Sequence, residues 1–315
     1  MINDSINRRR FLSGVALGAA SLTLGFKPLL PQAGRSKICI FSKCLQWLNY
    51  DEMAALVKEM GFDGIDLTVR ANGHVLPERV ADDLPRAVAA AEKAGIKVYM
   101  LTTGINSANE AHTEAILKTA SSLGIRYYRT DWFYYNTNMR IQDNLAAFKK
   151  RFESLEILNR RYNIHGAYQN HAGKYFGAAV WDLWETIKDL DPEYTGCQYD
   201  IRHATVEGPD TWPLALELLQ KNIRSVAIKD YFLEKKNGAW TYSSVPLATG
   251  MVNFKQYFQQ LKKMNFSGPQ SMHFEYPLGG AEDGARKISI TTEAFRNAVR
   301  TDLVKYKSLL AQAGF

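Results

Sequence analysis

From Lys37 onward, short continuous apolar runs alternate with longer stretches of helical period. The runs Ile38–Ser42, Gly64–Leu67, Ile96–Leu101, Ile125–Thr130, Ile164–Gln169, Thr195–Tyr199, Ile223–Ile228 and Gln270–Phe274 read as strands. Runs without polar alternation fit strands buried on both faces, as in a parallel sheet. Between and after them the spacing predicts helices over Asp51–Met60, Pro77–Ala94, Glu110–Leu123, Ile141–Tyr162, Ala178–Leu190, Thr211–Lys221, Phe254–Met264 and Thr291–Ala311. Met-Gly-Phe at 60–62, Ala-Gly-Ile at 94–96 and Leu-Gly-Ile at 123–125 end three helices on a glycine that can turn left-handed into the next strand. The strand–helix unit occurs eight times, which predicts a single closed (β/α)8 barrel over residues 35–315. A doubly wound open sheet is the alternative. Its usual Gly-rich loop after the first strand is missing, since Phe41-Ser42-Lys43-Cys44 contains no glycine.

Residues 1–34 do not follow this pattern. Arg8-Arg9-Arg10-Phe11-Leu12 precedes a small-residue apolar run, Ser13–Phe26, which is short for a membrane span and flanked like an export signal. The adjacent arginines resemble a twin-arginine signal; an ordinary secretory signal is the other reading. The expectation is an exported, periplasmic or similar, protein with no membrane span in its mature part. The whole chain carries a formal charge of +7. Without residues 1–34, which hold Arg8, Arg9, Arg10 and Lys27 against Asp4, the excess falls to +4. No long basic run remains, so nucleic acid is not expected as a partner. Three cysteines, Cys39, Cys44 and Cys197, do not form a disulfide framework and read as small core residues.

In a barrel the chemistry sits where strands pass into the following loops. Those positions are polar around the whole ring: Lys43 with Trp47 behind it, Asp66 with Arg70 and His74, Thr102 and Thr103, Arg129 and Asp131, Gln169 with His171 and Lys174, Asp200 and His203, Lys229 and Asp230, and Glu275. The aromatic run Trp132–Tyr135 lies in one of these loops and suits stacking on a sugar ring, or packing of the loop itself.

Five segments in order, Tyr-Gln-Asn-His at 168–171, Tyr-Asp-Ile-Arg-His at 199–203, Ala-Ile-Lys-Asp-Tyr at 227–231, Val-Pro-Leu-Ala-Thr-Gly at 245–250 and His-Phe-Glu-Tyr at 273–276, resemble the sugar isomerase/epimerase family with the xylose-isomerase-like barrel. The resemblance implies a small-molecule carbohydrate substrate. It also implies one divalent metal held by Glu, Asp, His and Glu from strands 5 to 8. Here those positions hold Gln169, Asp200, Ala227 and Glu275, so two of four depart. His203 matches a further family histidine. The candidate metal ligands are thus Gln169, Asp200, His203 and Glu275, with Mg, Mn or Zn as the metal. Loss of the imidazole disfavours Zn most.

Family epimerases use the strand-5 and strand-8 glutamates as two bases. Gln169 cannot take a proton, which leaves Glu275 as base with Lys229 and His203 as catalytic partners. Lys43, Trp47, Asp66, Arg70, His74, Asp131, His171 and Lys174 are the substrate-binding candidates. The expected reaction is isomerisation or epimerisation of a sugar or keto sugar by proton abstraction next to a carbonyl. A keto-sugar lyase or dehydratase, and a carbohydrate-binding protein with a degenerate centre, are the alternatives. An endonuclease-type phosphodiesterase is disfavoured by the export signal and the altered ligands.

Overall fold

The computed structural model describes residues 36–315. The export signal expected over residues 1–34 lies outside the described residues. Eight parallel strands close into a ring in chain order: β1 (Ile38–Phe41), β2 (Gly64–Val69), β3 (Lys97–Thr103), β4 (Tyr127–Arg129), β5 (His165–Gln169), β6 (Thr195–Asp200), β7 (Ile223–Ile228) and, completing it, β10 (Gln270–Met272). The ring shuts where β1 pairs with β10, with Ile38, Cys39 and Ile40 opposite Gln270, Ser271 and Met272. The predicted (β/α)8 barrel is the observed fold.

Helices pack outside the ring: α1 (Tyr50–Met60), α2 (Val80–Lys93), α3 (Thr113–Ser122), α4 (Ile141–Tyr162), α5 (Val180–Ile187), α6 (Ile201–Glu207), α7 (Trp212–Leu219), α8 (Phe254–Lys263) and α9 (Thr292–Ala313). The local signals in the sequence account for their ends. Asn49 and Glu52 form a reciprocal capping box at the start of α1, the kind of cap whose loss costs about 1 kcal/mol. Gly61 closes α1 at φ 93°, a left-handed turn that a side chain would resist. Cys39, Cys44 and Cys197 are buried and unbonded to one another, as core residues. No helix among the described residues is long and apolar enough to cross a membrane.

Two elements were not expected. Between β7 and α8 the chain leaves the ring as an antiparallel hairpin, β8 (Asp230–Lys236) and β9 (Ala239–Val245). Its turn is Asn237-Gly238, both at positive φ, the dipeptide that best suits a two-residue hairpin turn. The second is the short helix α6, which begins directly after Asp200.

Both elements shape the barrel mouth. Asp230 turns away from the barrel axis and accepts from the backbone N–H groups of Tyr231, Gly250 and Val252, which folds the 246–252 loop back on the base of the hairpin. Gly250 is obligatory in that arrangement, because a Cβ there would stand 2.1 Å from the Tyr231 carbonyl oxygen.

Candidate functional site

The polar ends of β5, β6 and β7 and the segment after β10 meet in one buried network. Asp200 is its centre and is fully buried. It is the N-cap of α6, where one carboxylate oxygen accepts from the His203 backbone N–H at 3.1 Å. Asn170 fixes its backbone from both sides, donating to the Asp200 carbonyl and accepting from the Asp200 N–H. The other carboxylate oxygen, Oδ2, accepts from Gln169 Nε2 at 2.8 Å and lies 3.3 Å from Lys229 Nζ. Lys229 Nζ also donates to Glu275 Oε2 at 3.0 Å. The ammonium therefore bridges the two carboxylates of the cluster. The five residues Gln169, Asp200, His203, Lys229 and Glu275 are brought together.

Glu275 is the least buried member, with its side chain 24% exposed against 5% for Lys229. Burial alone would raise its carboxyl. The charge of Lys229 and the neighbouring His273, whose Nδ1 is 3.6 Å from Glu275 Oε1, outweigh burial and hold it well below the usual carboxylate range. Glu275 is thus ionised. His203 is the opposite case. Burial first, then the charge of Lys229, depress it well below its ordinary value, so the ring is neutral. Arg202 Nη1 lies 2.9 Å from His203 Nδ1. A guanidinium can only donate, so Nδ1 accepts and the proton sits on Nε2. Nε2 lies 3.7 Å from Asp200 Oδ2 and is buried without a hydrogen-bond partner.

Gln169 is held from its other side. Its Oε1 accepts from Arg129 Nη1 at 2.6 Å. Arg129 is buried at the end of β4 and packs its guanidinium over the Trp132 ring at 4.6 Å. Burial, then the like charge of Arg70, lower it to about 10. His171 stacks on His203 at 3.9 Å between ring centroids and touches Tyr175 and Trp132. It forms a wall beside the cluster.

The other half of the mouth is open. A cavity of about 480 Å3 lies over the ends of β1 to β4, lined among others by Lys43, Gln46, Arg70, Glu110 and Asp131. Lys43 and Arg70 act electrostatically on Glu275, which places the carboxylate beside this cavity. Phe41 and His273 stack at 4.3 Å, and Arg70 covers the Phe41 ring. These contacts join the two halves.

Several residues expected at the substrate are placed elsewhere. Asp66 is fully buried inside the barrel, where it accepts from Thr102 Oγ1 at 2.9 Å and Ser271 Oγ at 2.7 Å and ties β2, β3 and β10 together. His74 spends both ring nitrogens on its own surroundings, Nδ1 at 3.3 Å from Thr68 Oγ1 and Nε2 at 3.1 Å from the Leu45 carbonyl. Trp47 packs edge-on against Phe295 and donates its indole N–H to the Cys44 carbonyl. Lys174 is exposed on the loop after β5. In the first three cases a polar or aromatic residue serves the packing of the barrel or of its loops. The reverse also occurs: Asn170, Arg202 and His273, given no role by the sequence, shape the site, as does Arg129, which the sequence marks only as a polar strand end.

The donor set does not suit a divalent metal. Among the described residues no group of three or more His, Cys, Asp or Glu side chains is arranged to hold one. Ala227 offers no ligand atom. The Gln169 oxygen is taken by a guanidinium, and the gap between Asp200 and Glu275 is spanned by the Lys229 ammonium.

Residues 54–291 match the family model described as the xylose isomerase-like TIM barrel. The chain belongs to that family. No curated protein matches it in sequence. Solved structures that share the family's barrel include a 3-keto-D-glucoside 4-epimerase, YcjR, from E. coli, at 16% identity and TM-score 0.62, covering 86% of this chain and 100% of that one. A xylose isomerase domain protein from Alicyclobacillus acidocaldarius matches at 13% identity and TM-score 0.65, covering 89% and 100%. A D-psicose 3-epimerase from Clostridium cellulolyticum H10, crystallised with D-tagatose, matches at 12% identity and TM-score 0.63, covering 87% and 99%. At these identities the likeness is one of fold.

Proposed function

We propose that this xylose isomerase-like barrel is a sugar isomerase or epimerase that acts on a keto sugar, exported by the signal read at Arg8-Arg9. The observation that carries the reading is Glu275: an ionised carboxylate at the barrel mouth, beside a sugar-sized cavity, bonded to a buried ammonium. Epimerase activity in several proteins of the same fold supports it. Removing a proton next to a carbonyl requires a base at the carbon and a donor at the oxygen where charge develops. Glu275 is the base.

Lys229 is the donor, since only two of its three N–H groups face Asp200 and Glu275. A substrate oxygen that draws the ammonium towards itself weakens its hold on Glu275. The carboxylate then becomes a stronger base as the enediolate becomes better stabilised. Neutral His203, with its proton on Nε2, and His171 stacked against it supply the proton-carrying wall. Lys43, Arg70 and Asp131 in the cavity hold the hydroxyls away from the reacting carbon. Lys174, His74, Trp47 and Asp66 have no direct part in this scheme.

With an amide at position 169, and with Asp200 buried and held by Gln169, Lys229 and the His203 N–H, Glu275 is the one carboxylate of the cluster free to act as a base. That arrangement fits a reaction in which Glu275 takes a proton and returns it to the neighbouring carbon, or one in which it starts a β-elimination. The second reading, a binding protein with a degenerate centre, is favoured by the same Gln169 and Ala227. A panel of free sugars and 3-keto sugars, followed by NMR for conversion, separates them. Conversion of a keto sugar that fails with Glu275→Gln supports the enzyme. Saturable binding without conversion anywhere in the panel replaces it with the binding protein.

A further inference from the structure

The geometry points to Lys229 as a built-in replacement for the family's divalent metal, so that the barrel works with its own ammonium as the cation. This rests on the reading of the cluster as a keto-sugar site and concerns what neutralises it. Three observations converge. First, Lys229 Nζ stands 3.3 Å from Asp200 Oδ2 and 3.0 Å from Glu275 Oε2, between the two carboxylates that remain of the implied ligand set.

Second, the other two ligand positions are disabled in ways that suit an ammonium. Ala227 pairs with Asp200 across β6 and β7, and Lys229 lies two residues further along the same strand direction. Strand faces alternate with period two, so Lys229 shares the face on which residue 227 would have carried a ring, and a methyl group leaves its stem unobstructed. Gln169 turns its N–H towards Asp200 because Arg129 holds its oxygen. The atom it presents to the centre of the cluster is a donor, which repels a metal ion.

Third, the charge is conserved. Three carboxylates around a divalent cation leave a net −1. Asp200, Glu275 and the Lys229 ammonium also leave −1. The departures themselves are Gln169 and Ala227, and Lys229 stands in a segment that resembles the family; with one carboxylate fewer, a single ammonium balances the two that remain as a divalent cation balances three. What the ammonium supplies is a hydrogen bond and one full charge at the substrate oxygen, with a fixed position and no dependence on metal supply.

The test is a binding measurement that needs no substrate, so it stands apart from whether turnover is ever found. The full chain is purified, stripped with chelator, and titrated calorimetrically with MnCl2 and with ZnCl2. The wild type is expected to show no one-per-chain binding up to about 1 mM. The triple variant Gln169→Glu, Ala227→His and Lys229→Met restores the implied ligand set and removes the ammonium. It is expected to bind one Mn2+ or Zn2+ per chain at least about 100-fold more tightly. Circular dichroism confirms that it is folded. If it is not, Lys229→Met alone serves, with an expected gain of about tenfold or more from removing the competing charge. Tight stoichiometric binding by the wild type overturns the inference. So does a folded Lys229→Met or triple variant that gains no affinity.

Discussion

The two halves of the barrel mouth solve opposite problems with the same residue types. Over β1 to β4 the charged residues Lys43, Arg70 and Asp131 are spread around an open cavity. Over β5 to β7 and β10, Asp200, Lys229, Gln169 and Glu275 are packed onto one another, with Asp200 fully buried. A charge in the first half is only partly desolvated, Arg70 included, and keeps contact with the open cavity, so it contributes modestly. A charge in the second half has lost its water, and removing its partner leaves an uncompensated ion. The contrast assigns binding to the open half and chemistry to the closed half. Glu275 stands at the seam, a quarter exposed, touched by Lys229 on one side and by the fields of Lys43 and Arg70 on the other.

The largest expected effect tests the closed half. Glu275→Gln should lower turnover by about two to four orders of magnitude while the thermal melt stays near wild type. Steady-state kinetics on whichever keto sugar is converted gives the first number, and calorimetry gives the second. A variant with near wild-type kcat would move the base elsewhere.

Lys229→Met comes next. It leaves Asp200 and Glu275 facing each other in a buried site, and stability should fall by about 3–5 kcal/mol in denaturant unfolding. Arg70→Met, a comparable deletion in the open half, should cost less than about 1 kcal/mol. Equal losses would erase the distinction between the halves.

The loop that borders the open cavity carries a pH signature. Burial lowers His74 to about 4, with the Leu45 carbonyl opposing the shift only in part. The unfolded chain takes up that proton near pH 6.5. A depressed folded value means that this share of stability is complete above pH 6.5 and is lost as pH falls towards 4. The size is about 3 kcal/mol. His74→Gln should flatten the dependence of stability on pH in that window, with little effect on turnover.

The smallest effect belongs to the cavity itself. Arg70→Ala should raise KM by about tenfold and leave kcat within a few-fold, the mark of binding felt equally in ground and transition states. A fall in kcat as large as that of Glu275→Gln would put Arg70 in the chemistry and end the division of labour.

Much of the fold could be read from the chain because a parallel barrel writes itself plainly. Ile38–Phe41 is apolar on both faces, Ile223–Ile228 is mostly so, and the helical period over Ile141–Tyr162 marks the range that α4 occupies. The β8–β9 hairpin escapes the periodicity although Asn237-Gly238 marks its turn. Its strands are half polar, with Phe232 and Trp240 exposed, and they do not resemble the buried runs that make the ring. Helix α6 was hidden because Asp200 is both the last residue of a strand and the cap of a helix.

The site was legible as a set of strand ends and no further. Asp66, which braces the interior, and Asp200, which centres the cluster, are both acidic residues in apolar runs, and position within the run separates them only once the strand ends are known: Asp66 is third of six in β2 and Asp200 is last in β6. The difference lies in partners far along the chain, Ser271 for the first and Lys229 for the second. Arg129 is legible as a polar strand end but not in its role, for the same reason. Its importance is one contact with Gln169, forty residues away.

The account stands on Glu275 as the single base that takes a proton from a carbon next to a carbonyl. The direct measurement is deuterium uptake by a 3-keto sugar in D2O, followed by NMR with wild type and with Glu275→Gln. The account predicts enzyme-dependent exchange at one carbon beside the carbonyl in the wild type and its loss in the variant. Exchange that survives Glu275→Gln undiminished would contradict it, as would a wild-type protein that binds keto sugars and exchanges none of their carbon-bound hydrogens.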